Sequence, residues 1–407
     1  MRVLTVTSLF PSTARPRHGI FVETRLQQLV CDAGIDARVI APVPWFPFRS
    51  PHFGSYAHFA ATPRRAVRDN GLQVSYPRYL MLPKLGVALQ PDSMARAATV
   101  DVEALQTSGW RPDIIDAHYF YPDGVAAALL AQRMGVPLVV TARGTDVNVL
   151  GRTPGPARRI LWAAQRCAAV IAVSTRLKES LLSLGVEAGK VTVIRNGVDA
   201  NLFRPVERQS ARQRLGLPGG RVIAACVGNL VPEKGFALAI EVLRELPDLH
   251  LVIVGDGPLR AALAALAHIL HVHDRVTFLG TLPQPELATV YSSADVLLLT
   301  STREGWPNVL LEAMACGTPV VAADVGAAAE MVTSHEVGRI VAAREAGAFA
   351  EAIRGLLAQG ISPDLVRRHA VGFDWASVSA AQLEIFERVR AREAIRLPTA
   401  SSSAVAL

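Results

Sequence analysis

Short apolar runs alternate along the chain with stretches of helical spacing. The run RVLTVTS opens the chain, a helix is expected from about Val22 to Asp32, and ARVIA follows at Ala37–Ala41. Further strands are expected at Gln73–Tyr76, Asp113–His118, Pro137–Thr141, Ala169–Val173 and Val191–Ile194. After a capped helix at about Glu207–Leu215 the rhythm returns. RVIAACVG, LHLVIVG, RVTFLG and ADVLLLT are separated by expected helices at Phe236–Leu246, Pro258–Leu270 and Pro285–Ser292. Strands that alternate with helices form α/β folds whose parallel sheets are covered on both faces. Such sheets take ligands at the carboxyl ends of their strands. A chain of 407 residues exceeds one ordinary core and suits two domains of similar size. The string RNGVDANLFRP, Arg195–Pro205, combines an Asn-Gly turn with a proline and reads as their link.

The pattern is most informative from Thr300 to Glu330. A buried strand ends near Thr300, a tight loop holds Arg303, Glu304 and Gly305, and a helix is expected from about Pro307 to Ala315, stopped by Gly317. The open amino end of that helix presents the N–H groups of Asn308, Val309 and Leu310 together with the positive pole of the dipole, which attracts an anion such as phosphate. Glu304 precedes the helix and Glu312 lies within it, seven residues between them. Helical side chains lean toward the amino end, so Glu312 is expected to point at the mouth. Two carboxylates beside a phosphate suit hydroxyls of a ribose and a sugar; the plainer alternative is that Glu304 complements the dipole and Glu312 is a surface residue.

Other strand ends carry candidate chemistry. His118 follows DIIDAH, Arg143, Gly144 and Asp146 follow the next strand, and Lys234 lies past RVIAACVG, where its ammonium can meet a diphosphate. The loop VGDGP, with Gly255 and Gly257, opens a helix, as a plain strand-to-helix turn also would.

The run EGWPNVLLEAMACGTPVVAADVGAAAE resembles the signature of the retaining glycosyltransferases of family 4, and ARPRHGIFVETRL and TARGTDV extend the likeness to members that build bacterial exopolysaccharide. The resemblance implies the GT-B fold, two doubly wound Rossmann-like domains facing across a cleft. They would span residues 1–200 for the acceptor and 201–374 for the nucleotide sugar, with a terminal helix over 375–396 crossing back to the first. It implies a nucleotide-diphosphate sugar as donor substrate, Glu304 on the donor sugar, Glu312 on the ribose, and Gly305, Trp306, Pro307, Asn308 and Val309 along the donor. Gly255 and Gly257 would line the nucleotide, and backbone at Gly280–Leu282 would face the base. Relatives generally carry an arginine where this chain has Asn229, so Lys234 takes more of the phosphate clamp, with Arg303. His118 is implied near the transferred sugar, making His118, Lys234 and Glu304 the catalytic candidates. Gly19, His18 and Arg143 are the acceptor-side candidates, His18 standing where a second glycine is usual. Retention would follow from attack on the leaving-group face, with the phosphate taking the proton. A lipid-linked acceptor at the inner face of a membrane is also implied.

Composition narrows the picture further. Half of the residues are apolar and 19% charged, as in a globular protein. The net charge of +7 fits an anionic partner, either a substrate or a membrane surface. The basic residues are spread out and no nucleic-acid motif occurs, so nucleic acid is not an expected partner. Residues 42–71 interrupt the strand rhythm with Trp45, Phe46, Phe48, Phe53 and Phe59 beside Arg64, Arg65 and Arg68. They suit either a lipid-facing surface or a local core with solvated arginines. No run approaches eighteen apolar residues and the amino end lacks a signal-peptide pattern, so a cytoplasmic protein is expected, with peripheral membrane contact possible through this segment. Four scattered cysteines, Cys31, Cys167, Cys226 and Cys316, are expected as buried thiols. No Asp-x-Asp follows a strand and no metal-spaced set occurs, so neither a metal nor a cofactor is expected. The rivals left standing are a nucleotide-sugar 2-epimerase of the same fold and a non-catalytic nucleotide-sugar-binding module. A dehydrogenase is disfavoured because no G-x-G-x-x-G follows the first strand. The residues do not specify donor base, sugar or acceptor, and the tail from Leu397 is expected to be disordered.

Overall fold

A computed structural model describes residues 1–81 and 86–396, so the expected disordered tail lies outside the described residues. The chain divides into two compact units, one of Met1–Ile194 with the segment that starts at Ala376, the other of Arg195–Trp375.

Among the described residues the first unit holds ten strands: β1 (Arg2–Val6), β2 (Asp36–Ile40), β3 (Val43–Pro44), β4 (Arg65–Val67), β5 (Gln73–Ser75), β6 (Arg78–Tyr79), β7 (Ile114–His118), β8 (Leu138–Ala142), β9 (Ala169–Ala172) and β10 (Val191–Val193). Eight of them form one sheet in the order β10-β9-β8-β7-β1-β2-β5-β4, while β3 and β6 pair separately. Within the large sheet only β4 runs antiparallel to its neighbour, Arg65 opposite Ser75. Every side chain of β7 and β8 is buried, which is why these strands read as unbroken apolar runs rather than alternating ones. The strand order reverses between β1 and β7, and there the carboxyl-end loops diverge.

The second unit has β11 (Val222–Val227), β12 (Leu249–Val254), β13 (Val276–Gly280), β14 (Val296–Leu299), β15 (Val320–Ala323) and β16 (Gly338–Val341), all parallel, in the order β13-β12-β11-β14-β15-β16. This is the dinucleotide-fold order, with its switch point between β11 and β14. Helices Phe236–Glu245 and Ala346–Ala358 bury Ile240, Leu243, Phe349 and Ile353 against one face.

Several expectations need correction. A 22-residue helix, Gly86–Thr107, stands where no element was expected. The stretch 42–71 is ordered into β3, a short helix at Ser55–Ala61 and β4. Arg195–Pro205 belongs to the second unit: Val198 N–H bonds Phe373 O at 2.8 Å, and a Cβ at Gly197 would meet Trp375 N at 2.8 Å. Cys31 is exposed, whereas Cys167, Cys226 and Cys316 are buried thiols.

Candidate active site

In the second unit the loops after β11, β12 and β14 converge at the switch point. The loop 228–235 lies on the next one backbone to backbone: a Cβ at Gly255 would stand 1.9 Å from Gly228 O, so only glycine permits the approach. Gly257 meets Leu230 in the same way, and Leu230 N–H bonds Asp256 O at 2.9 Å. Both glycines thus serve loop packing. Gly235, at φ +64°, lies where a Cβ would be 2.1 Å from Thr300 O, which docks this loop on the end of β14. Thr302 N–H to Glu233 O, 2.8 Å, and Arg344 to Thr300 O, 2.9 Å, complete the seam.

The seam brings together residues that are far apart in sequence. Lys234 Nζ lies 2.7 Å from Glu304 Oε1, the same oxygen that accepts from Ser301 Oγ at 2.7 Å. Arg303 pairs at the surface with Glu233, 2.6 Å away. Of the two cations expected at the phosphate clamp, Lys234 is paired with Glu304 and Arg303 is turned to Glu233. Asn229 is exposed on the same loop.

Beyond Glu304 the chain enters the helix Asn308–Ala315 with Pro307 as its N-cap and no side-chain cap. Leu310 N–H bonds Pro307 O at 3.0 Å, which removes it from the open set expected there. Among the described residues the amides of Asn308 and Val309 make no backbone hydrogen bond, so the anion-attracting mouth is narrower by one donor. Gly305 O accepts from Ala327 N–H, 3.2 Å, and Trp306 is buried against Phe373 with an indole N–H that finds no partner among the described residues. Glu312 is neither at the surface nor unpartnered. Its Oε2 accepts from the buried Tyr291 hydroxyl at 2.7 Å, and burial, opposed by that bond, pushes its carboxyl up to about 7.

In the first unit, His118 ends β7 and is fully buried. Arg143 donates to its Nδ1 at 2.7 Å, which leaves Nε2–H to donate to Asp116 Oδ2 at 3.1 Å. Burial, opposed by Asp116 and aided by Arg143, brings the imidazole down to about 4, so the ring is neutral with both nitrogens engaged. Asp116 Oδ2 also accepts from Gln382, 3.1 Å, whose Oε1 receives Arg25 at 2.7 Å. Asp146, a strand-end candidate, takes the N–H groups of Phe120, Arg143 and Gly144 at 2.6–3.2 Å and shapes the loop.

The loop after β1 turns at Gly19, the left-handed N-cap of helix Ile20–Ala33, packed on the Leu9 carbonyl. His18 is locked inside it, with Arg15 on Nδ1 at 2.8 Å and Ser8 O on Nε2 at 3.1 Å. Burial first and Arg15 second bring His18 down to about 4. Ser8 is held by both oxygens of Asp123, which burial raises to about 7. A cavity of about 230 Å³ opens beside this loop, lined among others by Arg15, His18, Phe59, Tyr76, Tyr79 and Gln90. Tyr291, Asp116 and Gln382 were not foreseen; each acts through a partner on another element, which local spacing does not reveal. Among the described residues no group of three His, Cys, Asp or Glu is arranged to hold a metal.

Comparison with known proteins places the chain. The family described as Glycosyltransferase Family 4 matches residues 24–202, and Glycosyl transferases group 1 matches residues 207–370. A Bacillus subtilis glycosyltransferase assigned by name to teichuronic acid biosynthesis, TuaC, is 33% identical over 87% of this chain and 88% of its own length. Among solved structures, sucrose-phosphate synthase from Thermosynechococcus elongatus superposes with a TM-score of 0.79 at 23% identity, covering 96% of this chain and 99% of that one. Anabaena HepE, solved with UDP, gives 0.72 at 22% identity over 95% of this chain and 100% of its own. Both architectures are GT-B, as the two Rossmann-like units here are. The chain belongs to the family 4 glycosyltransferases.

Proposed function

We propose that this glycosyltransferase moves a hexose-type sugar from a nucleotide-diphosphate sugar to a glycan or lipid-linked glycan, with retention of anomeric configuration, in the synthesis of bacterial exopolysaccharide or another cell-surface polysaccharide at the inner face of a membrane. One observation carries the reading: a lysine-carboxylate pair, Lys234 on Glu304, joins two strand-end loops at the switch point, next to a helix mouth with two open amides. The TuaC likeness supports the polysaccharide context and the UDP complex of HepE supports a nucleotide donor.

In the proposed reaction the bond from the anomeric carbon to the β-phosphate oxygen breaks, and negative charge gathers on the departing diphosphate. Lys234 and the amides of Asn308 and Val309 stabilise that charge where it forms. Glu304 then exchanges its ammonium partner for a sugar hydroxyl, Ser301 keeping the carboxylate oriented, and Glu312 exchanges Tyr291 for the ribose. The acceptor hydroxyl attacks on the face the phosphate leaves, and its proton passes to the phosphate. His118, neutral and oriented by Asp116 and Arg143, is assigned to the transferred sugar, and the loop of His18 and Gly19 to the acceptor.

A thermal-shift screen with UDP, GDP, ADP and their sugars tests the donor. A nucleotide at one hundred times its Kd adds about 2.7 kcal/mol to the native state, a rise of roughly 5–11 °C for a unit of this size. No rise with any of them overturns the proposal. Product NMR after transfer decides the stereochemistry: an inverted anomeric centre refutes retention, and an epimer formed without acceptor would make the chain an epimerase.

A further inference from the structure

A cluster of exposed aromatic side chains belongs to the first unit and has no part in the proposed donor site. Trp45, Phe48, Phe53 and Tyr56 are each 42–54% exposed. The rings of Phe48, Phe53 and Tyr56 pack on one another through Phe46: Phe48 stacks on Phe53 at 5.1 Å, and Phe46 meets Phe53 and Tyr56 at 5.4 Å. Tyr56 leads on to Phe59 at 5.9 Å, which packs against the core and lines the 230 Å³ cavity. Monomeric proteins seldom expose so many large rings in one place without a partner for them.

Charge identifies the partner. Residues 37–68 contain five arginines and no Asp or Glu. Arg65 and Arg68 are answered by Asp101 and Glu23, and Arg38 lies over the Trp110 ring. Arg49 and Arg64 are exposed, and both lie near enough to Arg78 to act as like charges upon it. Half-exposed rings beside exposed guanidinium groups match the boundary of an anionic bilayer, where rings enter the acyl region and cations meet phosphates.

We propose that the segment 45–64 is a membrane-docking surface for bilayers containing anionic lipid, with Trp45, Phe48, Phe53 and Tyr56 entering the interface and Arg49 and Arg64 on the headgroups. This deepens the reading above, since a lipid-linked acceptor would then be met at the bilayer, but its test needs neither donor nor acceptor.

The full chain is sedimented with phosphatidylcholine vesicles with and without phosphatidylglycerol. Binding to the mixed vesicles at low salt, falling as salt rises, is expected. Phe48→Ser with Phe53→Ser lowers the partition roughly tenfold or more, and Arg49→Gln and Arg64→Gln lower it about fivefold each. Circular dichroism and melting of each variant check that these exposed substitutions leave the fold intact. In the unsubstituted chain, brominated lipid quenches tryptophan emission, and the quenching disappears in Trp45→Phe. Failure to bind mixed vesicles at low salt, undiminished binding of the double-serine variant, or equal binding to pure phosphatidylcholine overturns the proposal. A nucleotide thermal shift that persists alongside such a failure leaves the donor reading standing by itself.

Discussion

If Glu304 occupies the Lys234 ammonium in the donor-free protein, a nucleoside diphosphate must displace it. That gives the substitution Glu304→Gln a sign that an ordinary loss-of-contact argument would not. The two groups are 2.7 Å apart, with side chains 31% and 10% exposed. Coulomb's law at an effective dielectric of 20 gives about 6 kcal/mol for unit charges at that distance, but desolvation and the partly exposed ammonium reduce the net value to about 1 kcal/mol. Removing the carboxylate charge while keeping its shape, with Ser301 still able to bond the amide, should therefore tighten binding of the bare diphosphate about fivefold. Transfer should move the other way, because a neutral amide holds a sugar hydroxyl less strongly than a carboxylate, by roughly 1–2 kcal/mol or about tenfold. Lys234→Ala removes the cation itself and should cost about 3 kcal/mol, a hundredfold or more in turnover. Calorimetric titration with the diphosphate that gives the thermal shift, together with steady-state transfer, measures all three. Glu304→Gln binding the diphosphate more weakly than the parent would show that the pair does not compete with the ligand. An unchanged turnover number in Lys234→Ala would remove Lys234 from the reaction.

Further expectations concern the frame around that pair. Gly235→Ala places a methyl 2.1 Å from Thr300 O at φ +64°. It should lower stability by about 1–3 kcal/mol and abolish the nucleotide thermal shift, both read from the same melting curves. Glu312 is raised to about 7 from its usual 4.5, so its protonated form favours folding. That contribution is whole below pH 4.5 and lost as pH rises through 7, at most about 3 kcal/mol. Melting temperature should thus fall between pH 5 and 8, less steeply in Glu312→Gln; identical slopes in the two proteins would contradict it. Gln382→Leu strips a partner from both buried Arg25 and Asp116. A loss of about 1–3 kcal/mol is expected in urea unfolding.

The strands were legible because they are buried on both faces, so β7, β8 and β12 stand out as apolar runs whatever their neighbours do. Helix Gly86–Thr107 was not, and its burial explains why. It turns Met94, Ala95, Ala98 and Val102 inward, a stripe of mostly small side chains, while Val87, Leu89 and Val100 face solvent and Pro91 lies inside its first turns. A search for apolar periodicity is drawn to the wrong residues there. Cys31 shows the same effect on a smaller scale. Val22, Leu26 and Leu29 define the buried face of helix Ile20–Ala33, and position 31 falls two residues, about 200°, beyond Leu29. Apolar neighbours in sequence are therefore not neighbours in the core.

For the site, local signals and long-range pairing separate cleanly. Proline before a helix, glycines where backbones touch, and two glutamates with seven residues between them are short-range features, and they identified the helix mouth and its loop. Partners were hidden because they depend on which strand lies beside which. Glu304 meets a lysine 70 positions earlier, Glu312 a tyrosine 21 earlier, and His118 an arginine 25 later. Those partners change what the motif residues are in the donor-free protein: a carboxylate held by an ammonium, a carboxyl near neutral pH held by a phenol, a neutral imidazole with both nitrogens engaged. Each must give up or keep an internal bond when a ligand arrives. Affinity for the donor is therefore a difference between two sets of contacts, only one of which the motif describes. A substitution at Ser301, Tyr291 or Asp116, none of them in the motif's glutamate pair, should consequently alter donor binding or transfer as surely as one at the motif itself.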